Sequence, residues 1–362
     1  ISNQINGPVL IHVITKKGKG YMPAEQNPDK FHSIGPYEID TGKSKKEKKE
    51  DYSKRFGDTL VKLAKKRNDI VAITAAMKDG TGLTEFAKQF PNRFFDVGIA
   101  EQHALGLAAG LASKGLRPVV SIYSSFYQRA YDQIIHDICI SKLPVIMCID
   151  RAGIVGNDGE THQGILDLAF LRIIPNLTIM APKDFRELEQ MLHFAFGLNS
   201  PVAIRYPRGG EGKTVFNKHE GIKVGVSENL VKGDDITIIS IGKMVDYAIQ
   251  VADLLKRDGI KADVFNTRFL KPFDLDGKIE ESITRTRKVV TIEDGIINGG
   301  LATIIKENLI EYELNGKVEI QCFGYPDEFI KQGDVDIIED EYGITPNKIA
   351  EKIRKMNSIL YN

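Results

Sequence analysis

Apolar positions fall into short blocks that alternate with longer, mixed stretches from residue 52 onward. Residues 70–74, 117–122 (RPVVSI), 143–149 (LPVIMCI), 177–180 and 202–205 have the length and the flanking turn residues of buried strands. Between them, residues 101–113 (EQHALGLAAGLAS), 126–140 and 185–196 carry the spacing of helices. Strand, helix and strand in repeated succession predict an α/β fold, a doubly wound, mostly parallel sheet. A second and smaller α/β unit follows. Residues 236–241 (ITIISI), 262–266, 288–292 and 318–321 read as its strands, residues 245–257 as an amphipathic helix, and Gly299-Gly300 as a turn before another helix.

The first fifty residues are different. Residues 8–14 (PVLIHVI) look like a strand and residues 16–21 (KKGKGY) like a glycine-rich loop. The chain begins at Ile1 and enters that run with no earlier element to pair it, so a cut piece of a longer protein is expected. Residues 43–51 (KSKKEKKED) form a charge run that reads as a solvated linker. The organisation expected is 1–32, a linker at 33–51, a domain at 52–216, a connection at 217–232 and a domain at 233–362.

Composition narrows the function classes. Lys+Arg and Asp+Glu both number 49, so the net charge is zero, and neither a nucleic acid nor an acidic membrane is an expected partner. The three cysteines, Cys139, Cys148 and Cys322, lie in or beside apolar runs and read as reduced core residues of a cytoplasmic protein. No apolar stretch reaches membrane-spanning length.

The chemistry concentrates after the strand at 143–149. Residues 150–164 read DRAGIVGNDGETHQG, four glycines with one arginine, three carboxylates and a histidine. Glycines let backbone approach a ligand, Arg151 can fork onto phosphate or carboxylate, and His162 can move a proton near neutral pH. The alternative is a long turn capped by Asp158 and Thr161. Glu101 opens an apolar helix, either as a desolvated carboxyl or as an ordinary first-turn glutamate complementing the helix dipole. In YSSFYQRAYD, residues 123–132, Phe126 offers a ring face and Arg129 a charge, or the segment is only a capped helix. RYPRGG at 205–210 is an anion clamp or an exposed basic turn. His12, His103, His136 and His193 read as packing residues.

AEQH after a strand, FYQRAYDQ, DRAGIVGNDGETHQG followed by LDLAFLR, and IRYPRG occur here in that order. Together they resemble the thiamine diphosphate-dependent transketolase superfamily and, more narrowly, the 1-deoxy-D-xylulose-5-phosphate synthase family. Transketolases and pyruvate dehydrogenase beta subunits share the glutamate-helix pattern but differ at the two longer motifs. The resemblance covers essentially the whole chain, including KKGKGYMPAEQNPDKFH near its start and GYPDEFIKQG at 324–333.

The resemblance implies that 1–32 is the tail of a diphosphate-binding domain, 52–216 the pyrimidine-binding domain and 233–362 the transketolase C-terminal domain. The G-D-G…N signature that should hold Mg²⁺ and the diphosphate is not found. Asp79-Gly80 and Asp158-Gly159 lack the first glycine, and Glu293-Asp294-Gly295 with Asn298 is too compressed. No metal ligand is therefore assigned in this chain, and the chain alone is expected to be inactive. Carried over, Glu101 would hydrogen-bond the aminopyrimidine of thiamine diphosphate and favour the tautomer that takes the thiazolium proton. Phe126 would stack on that ring, with Tyr123 also at the cofactor. Arg129, Arg151, Asp158 and Arg208 would bind substrate, the arginines at 151 and 208 its phosphate. His162 and His32 would move protons. The implied reaction decarboxylates pyruvate and joins the remainder to D-glyceraldehyde 3-phosphate, the first step of non-mevalonate isoprenoid synthesis and a feed to thiamine and pyridoxal, in a homodimer. Two other readings remain: a transketolase, or the small subunit of a split one, and a non-catalytic dimerisation module.

Overall fold

The computed structural model of the chain describes residues 4–28, 31, 35–45 and 50–358. They fall in two units, 1–49 and 50–362.

In the first unit the helix Met22–Gln26 starts with a proline near its N-terminus, and Tyr21 Oη donates to the Ile39 carbonyl at 2.7 Å. The rings of Tyr21 and Phe31 lie 5.5 Å apart and those of Phe31 and Tyr37 5.4 Å, so a small aromatic cluster organises the segment. Residues 8–14 do not form the expected strand, and all of them, His12 included, are exposed. A strand needs a neighbour to take its hydrogen bonds, and the described residues of this unit supply only an isolated bridge between Tyr37 and Ser44. His32 lies outside the described residues.

The second unit carries two sheets. Its strands are β1 Ile70–Thr74, β2 Phe94–Asp96, β3 Arg117–Tyr123, β4 Ile146–Asp150, β5 Thr178–Met180, β6 Val202–Arg205, β7 Glu228–Val231, β8 Ile236–Ser240, β9 Ala262–Asn266, β10 Phe269–Lys271, β11 Lys288–Ile296 and β12 Glu319–Tyr325. The larger sheet runs β10-β5-β6-β4-β3-β1-β2, and every strand but β10 is parallel. The smaller runs β12-β11-β8-β9-β7, and every strand but β7 is parallel.

Successive strand residues point to opposite faces, which explains how one run of apolar residues fills two cores. Val120, Ile122, Met147 and Ile149 pack with Ala104, Leu105 and Ala108 of the helix Glu101–Ser113. Their neighbours Val119, Ile146 and Cys148 pack on the other side with Phe56 and Leu60 of the helix Tyr52–Ala64 and Leu188 and Leu192 of the helix Phe185–Ala195. Both faces are covered by helices, as the expected doubly wound arrangement requires.

Two differences from the sequence reading have physical causes. The helix expected at 126–140 is broken into an α-turn Ser124–Tyr127, a 3-10 turn Gln128–Ala130, an α-turn Tyr131–Gln133 and a wide π-turn Ile134–Cys139. That winding buries Ile134 and Ile138 completely, and a π-turn is a local widening that apolar spacing does not announce. The second difference is β10, which leaves the smaller domain and closes the edge of the larger sheet beside β5.

The seam between the two sheets is ionic and buried. Lys183 Nζ lies 3.1 Å from Glu187 Oε1 and 2.7 Å from Glu228 Oε2, while Arg268 reaches Glu187 at 2.8 Å and Glu228 at 3.1 Å. Nearby, Arg205 bridges Asp167 at 3.0 Å and Asp294 at 2.6 Å.

Candidate active site

In the larger sheet β1 is flanked by β2 on one side and β3 on the other, so the strand order reverses between β1 and β3. Open α/β sheets bind ligands outside the carboxyl ends of their strands at such a point. The segments that leave β1, β2, β3, β4 and β6 carry the candidate residues to this end.

Glu101 is the first residue of its helix, with a side chain only 3% exposed. Of the two readings open for it, the desolvated carboxyl is the one found, and its Oε1 is paired with Arg129 Nη1 at 2.7 Å. The guanidinium of Arg129 also covers the Phe126 ring, 4.7 Å from its centroid. Phe126 in turn is stacked on Tyr123 at 5.9 Å and meets His162 edge-on at 5.2 Å.

Tyr123, at the end of β3, has the guanidinium of Arg151 over its ring at 3.7 Å. Burial raises its phenol above the ordinary tyrosine range, and Arg151 pulls it back. Arg151 has φ +60 and directs Nη1 to the Gly80 carbonyl at 2.9 Å and to Asp150 Oδ1 at 3.2 Å. A side chain at Gly80 would place its Cβ 1.7 Å from the Tyr123 hydroxyl, so that position must be glycine for the ring to sit here. Asp150 is fully buried, accepts from Ser53 Oγ at 2.7 Å, and is pushed up to about 6 by burial, with Arg151 opposing.

Asp158 joins the two remaining arginines. Its Oδ2 is 2.6 Å from Arg208 Nη1 and 4.0 Å from Arg151 Nε. Contact therefore passes without a gap from Glu101 through Arg129, Phe126, Tyr123 and Arg151 to Asp158 and Arg208, with His162 against Phe126. Of the residues singled out from the sequence, only His32 is not placed. Ser53, Gly80 and Asp150 were missed. Asp150 stands beside Arg151 at a strand end, a signal that was available; Ser53, in the first turn of the helix Tyr52–Ala64, and Gly80, in the turn after β1, come from distant segments and carry none.

The other histidines differ from expectation. His103, His136 and His193 are exposed, with His136 paired to Asp132 at 2.8 Å. A helix buries only one face, and these three lie on the other.

A buried carboxylate, Glu101, and a half-buried aromatic ring, Phe126, both meet the Arg129 guanidinium here, the two kinds of group that an aminopyrimidine would need. Among the described residues no group of three or more His, Cys, Asp or Glu side chains is placed to hold a metal ion. Nor, among the described residues, is any helix long and apolar enough to cross a membrane.

Residues 48–211 match the pyrimidine-binding domain of transketolase, and residues 225–349 match the transketolase C-terminal domain. A solved split-gene transketolase, described as an inactive beta4 tetramer, is 32% identical, with a TM-score of 0.74 over 84% of this chain and 97% of that one. The chain belongs to the transketolase family. Within it, the chain is similar to 1-deoxy-D-xylulose-5-phosphate synthases: 54% identical to that of Natranaerobius thermophilus over 96% of this chain, and 51% identical to that of Caldanaerobacter subterraneus over 97%. It spans about half the length of these curated relatives, 55% and 56%. The Campylobacter jejuni transketolase, 18% identical with a TM-score of 0.69, shares the fold.

Proposed function

We propose that the chain supplies the pyrimidine-binding and C-terminal part of a 1-deoxy-D-xylulose-5-phosphate synthase, a thiamine diphosphate-dependent transferase acting on pyruvate and D-glyceraldehyde 3-phosphate. One observation carries this reading. The unbroken contact path from Glu101 to Arg208 puts a cofactor-type carboxylate and a phosphate-type arginine pair in one crevice. Thiamine diphosphate, when bound, supplies a nucleophilic carbon that a protein side chain cannot.

The residues divide the remaining work. Glu101 holds or gives a proton at Oε2 once Arg129 swings into the crevice, and the half-exposed Arg129 can do so because its chain is long. Phe126 orients a flat ring. Arg208, paired with Asp158, and Arg151, held by the Gly80 carbonyl and Asp150, turn to the acceptor phosphate, which offers them bidentate, charge-assisted bonds. His162, with Nδ1 2.9 Å from Thr161 Oγ1, is placed to move a proton at the acceptor carbonyl. The diphosphate and its Mg²⁺ are assigned to donors outside the described residues.

The reading extends to a cytoplasmic homodimer that feeds isoprenoid and thiamine synthesis. Ile99, Ile140 and Ile173 are 81%, 62% and 64% exposed, apolar side chains that a second copy would cover. The 97% coverage of a split-gene transketolase chain supports a second reading, one subunit of a two-chain enzyme.

Arginine substitution tests the assignment. In an assembly that turns over pyruvate, Arg151→Ala and Arg208→Ala should raise KM for D-glyceraldehyde 3-phosphate far more than KM for pyruvate, since only the former bears a phosphate. Equal effects on both would move the arginines to a loop-holding or cofactor role.

A further inference from the structure

The loop that carries Asp158 and His162 is closed at its base and tied at its tip to the other domain. Gly153 and Gly164 exchange backbone hydrogen bonds of 2.8 and 2.7 Å, which brings the two ends of the loop together. Inside it, Gln163 is 5% exposed, and its Oε1 accepts from Val155 N at 2.8 Å and Gly156 N at 3.4 Å. The Nε2 of the same side chain donates to the Lys331 carbonyl, 3.2 Å away in the segment after β12. The next residue of that segment returns the contact, Gln332 Nε2 donating to the Asn157 carbonyl at 3.0 Å. Gly156 has φ +67, and a Cβ there would stand 2.8 Å from the Gly333 carbonyl oxygen. The stretch from Asn157 to Gln163 is therefore pinned at both ends by three consecutive residues of the smaller domain.

We propose that Gln163 is a positioning residue, which fixes Asp158 and His162 for the acceptor by fastening their loop to Lys331–Gly333. This rests on the reading of that loop as the acceptor site. A primary amide suits the task because it accepts from two backbone N–H groups and donates to a carbonyl with one planar group, which neither a carboxylate nor a hydroxyl can do. Removing it orphans two N–H groups and frees both ends of the stretch.

The test uses the chain itself with two variants. Gln163→Met keeps the volume and loses the hydrogen bonds; Gln332→Ala alters only an exposed residue on the opposite side of the tie. Amide exchange at 155–163 should rise about tenfold in Gln163→Met and less in Gln332→Ala, with the β3 and β4 amides unchanged. The His162 ring resonances should shift as the ring leaves Phe126, and affinity for D-glyceraldehyde 3-phosphate should fall about tenfold, a loss that Gln163→Glu, which retains the acceptor, restores in part. Unchanged exchange and unchanged His162 resonances in both variants overturn the proposal. So does weakened acceptor binding with unaltered exchange. If affinity is indifferent to Arg151→Ala and Arg208→Ala, the acceptor reading falls instead, and the exchange data still decide whether Gln163 holds the loop.

Discussion

Glu101 Oε1 lies 2.7 Å from Arg129 Nη1, and the two partners are unequal: the carboxylate is 3% exposed and the guanidinium 51%. Arg129 can part from the pair at little cost, whereas Glu101 cannot leave its buried place. The carboxylate is thus the fixed element of the crevice and the arginine a removable cover. Glu101→Gln should fold normally and, in an assembly that turns over pyruvate, lower turnover by ~10²-fold or more, the usual loss for a general acid. A well-folded variant with near-normal turnover would refute the role. Arg129→Ala should be milder.

A pH dependence follows from Glu293. Its carboxylate accepts from the backbone N–H groups of Leu301 and Ala302 at 2.7 and 2.8 Å, yet burial pushes it up to about 8 from an ordinary 4.5. The native state therefore keeps a proton that the unfolded chain releases near 4.5. Stability from this group is whole below that value, falls as pH rises toward about 8, and is level above it. Asp150, pushed up to about 6, adds a slope of the same sign at lower pH. Glu293→Gln should flatten the decline between pH of about 6 and 8, on the order of a few kcal/mol at most, leaving the Asp150 part. Urea unfolding midpoints across that range read the difference, and identical slopes in both proteins would count against a buried, protonated Glu293.

The ionic seam makes the two sheets one unit. Lys183 is fully buried between Glu187 and Glu228, so Lys183→Met leaves two buried carboxylates with the charge of Arg268 and the neutral Asn266 amide between them. Breaking a buried pair from one side costs about 3–5 kcal/mol. Chemical denaturation should show that loss, with both sheets still unfolding together because β10 remains in the larger one. A change below about 1 kcal/mol would mean that water reaches the cluster.

On the proposed reading, the described residues offer thiamine diphosphate the Glu101 carboxyl and the Phe126 ring. Ring stacking and a hydrogen bond together contribute roughly 2–4 kcal/mol before the cost of immobilising the ligand, too little for micromolar affinity. Calorimetric titration of the chain with thiamine diphosphate and Mg²⁺ should show no saturable heat. Micromolar binding, or pyruvate-dependent CO₂ release, would show diphosphate donors that the crevice does not reveal.

The sequence by itself determined the local elements of the second unit and the chemistry of its loops. Periodicity is a property of a few consecutive residues. Strands such as 202–205 and 262–266, each a short run buried throughout, and the helix 101–113 with its apolar spacing were readable to the residue because length, flanking residues and spacing are local signals. The motifs at 101, 123–132, 150–164 and 205–210 were readable as chemistry for a like reason: each is contiguous.

Only the tertiary structure decided what depends on residues far apart in the chain. The same strand-like pattern at 8–14 is exposed, since pairing belongs to two segments and not to one. β10 joins a sheet whose other strands lie at least 60 residues earlier, and its three residues carry no mark of that destination. Arg129 was legible as a charge but not as the partner of Glu101, 28 positions away. Gln163 was one polar residue in a polar loop until Lys331, 168 positions on, came to face it. Hydrogen bonds and ion pairs act over a few ångströms of space, whatever the length of chain between the partners, so a single sequence states the groups and the fold alone chooses the pairs.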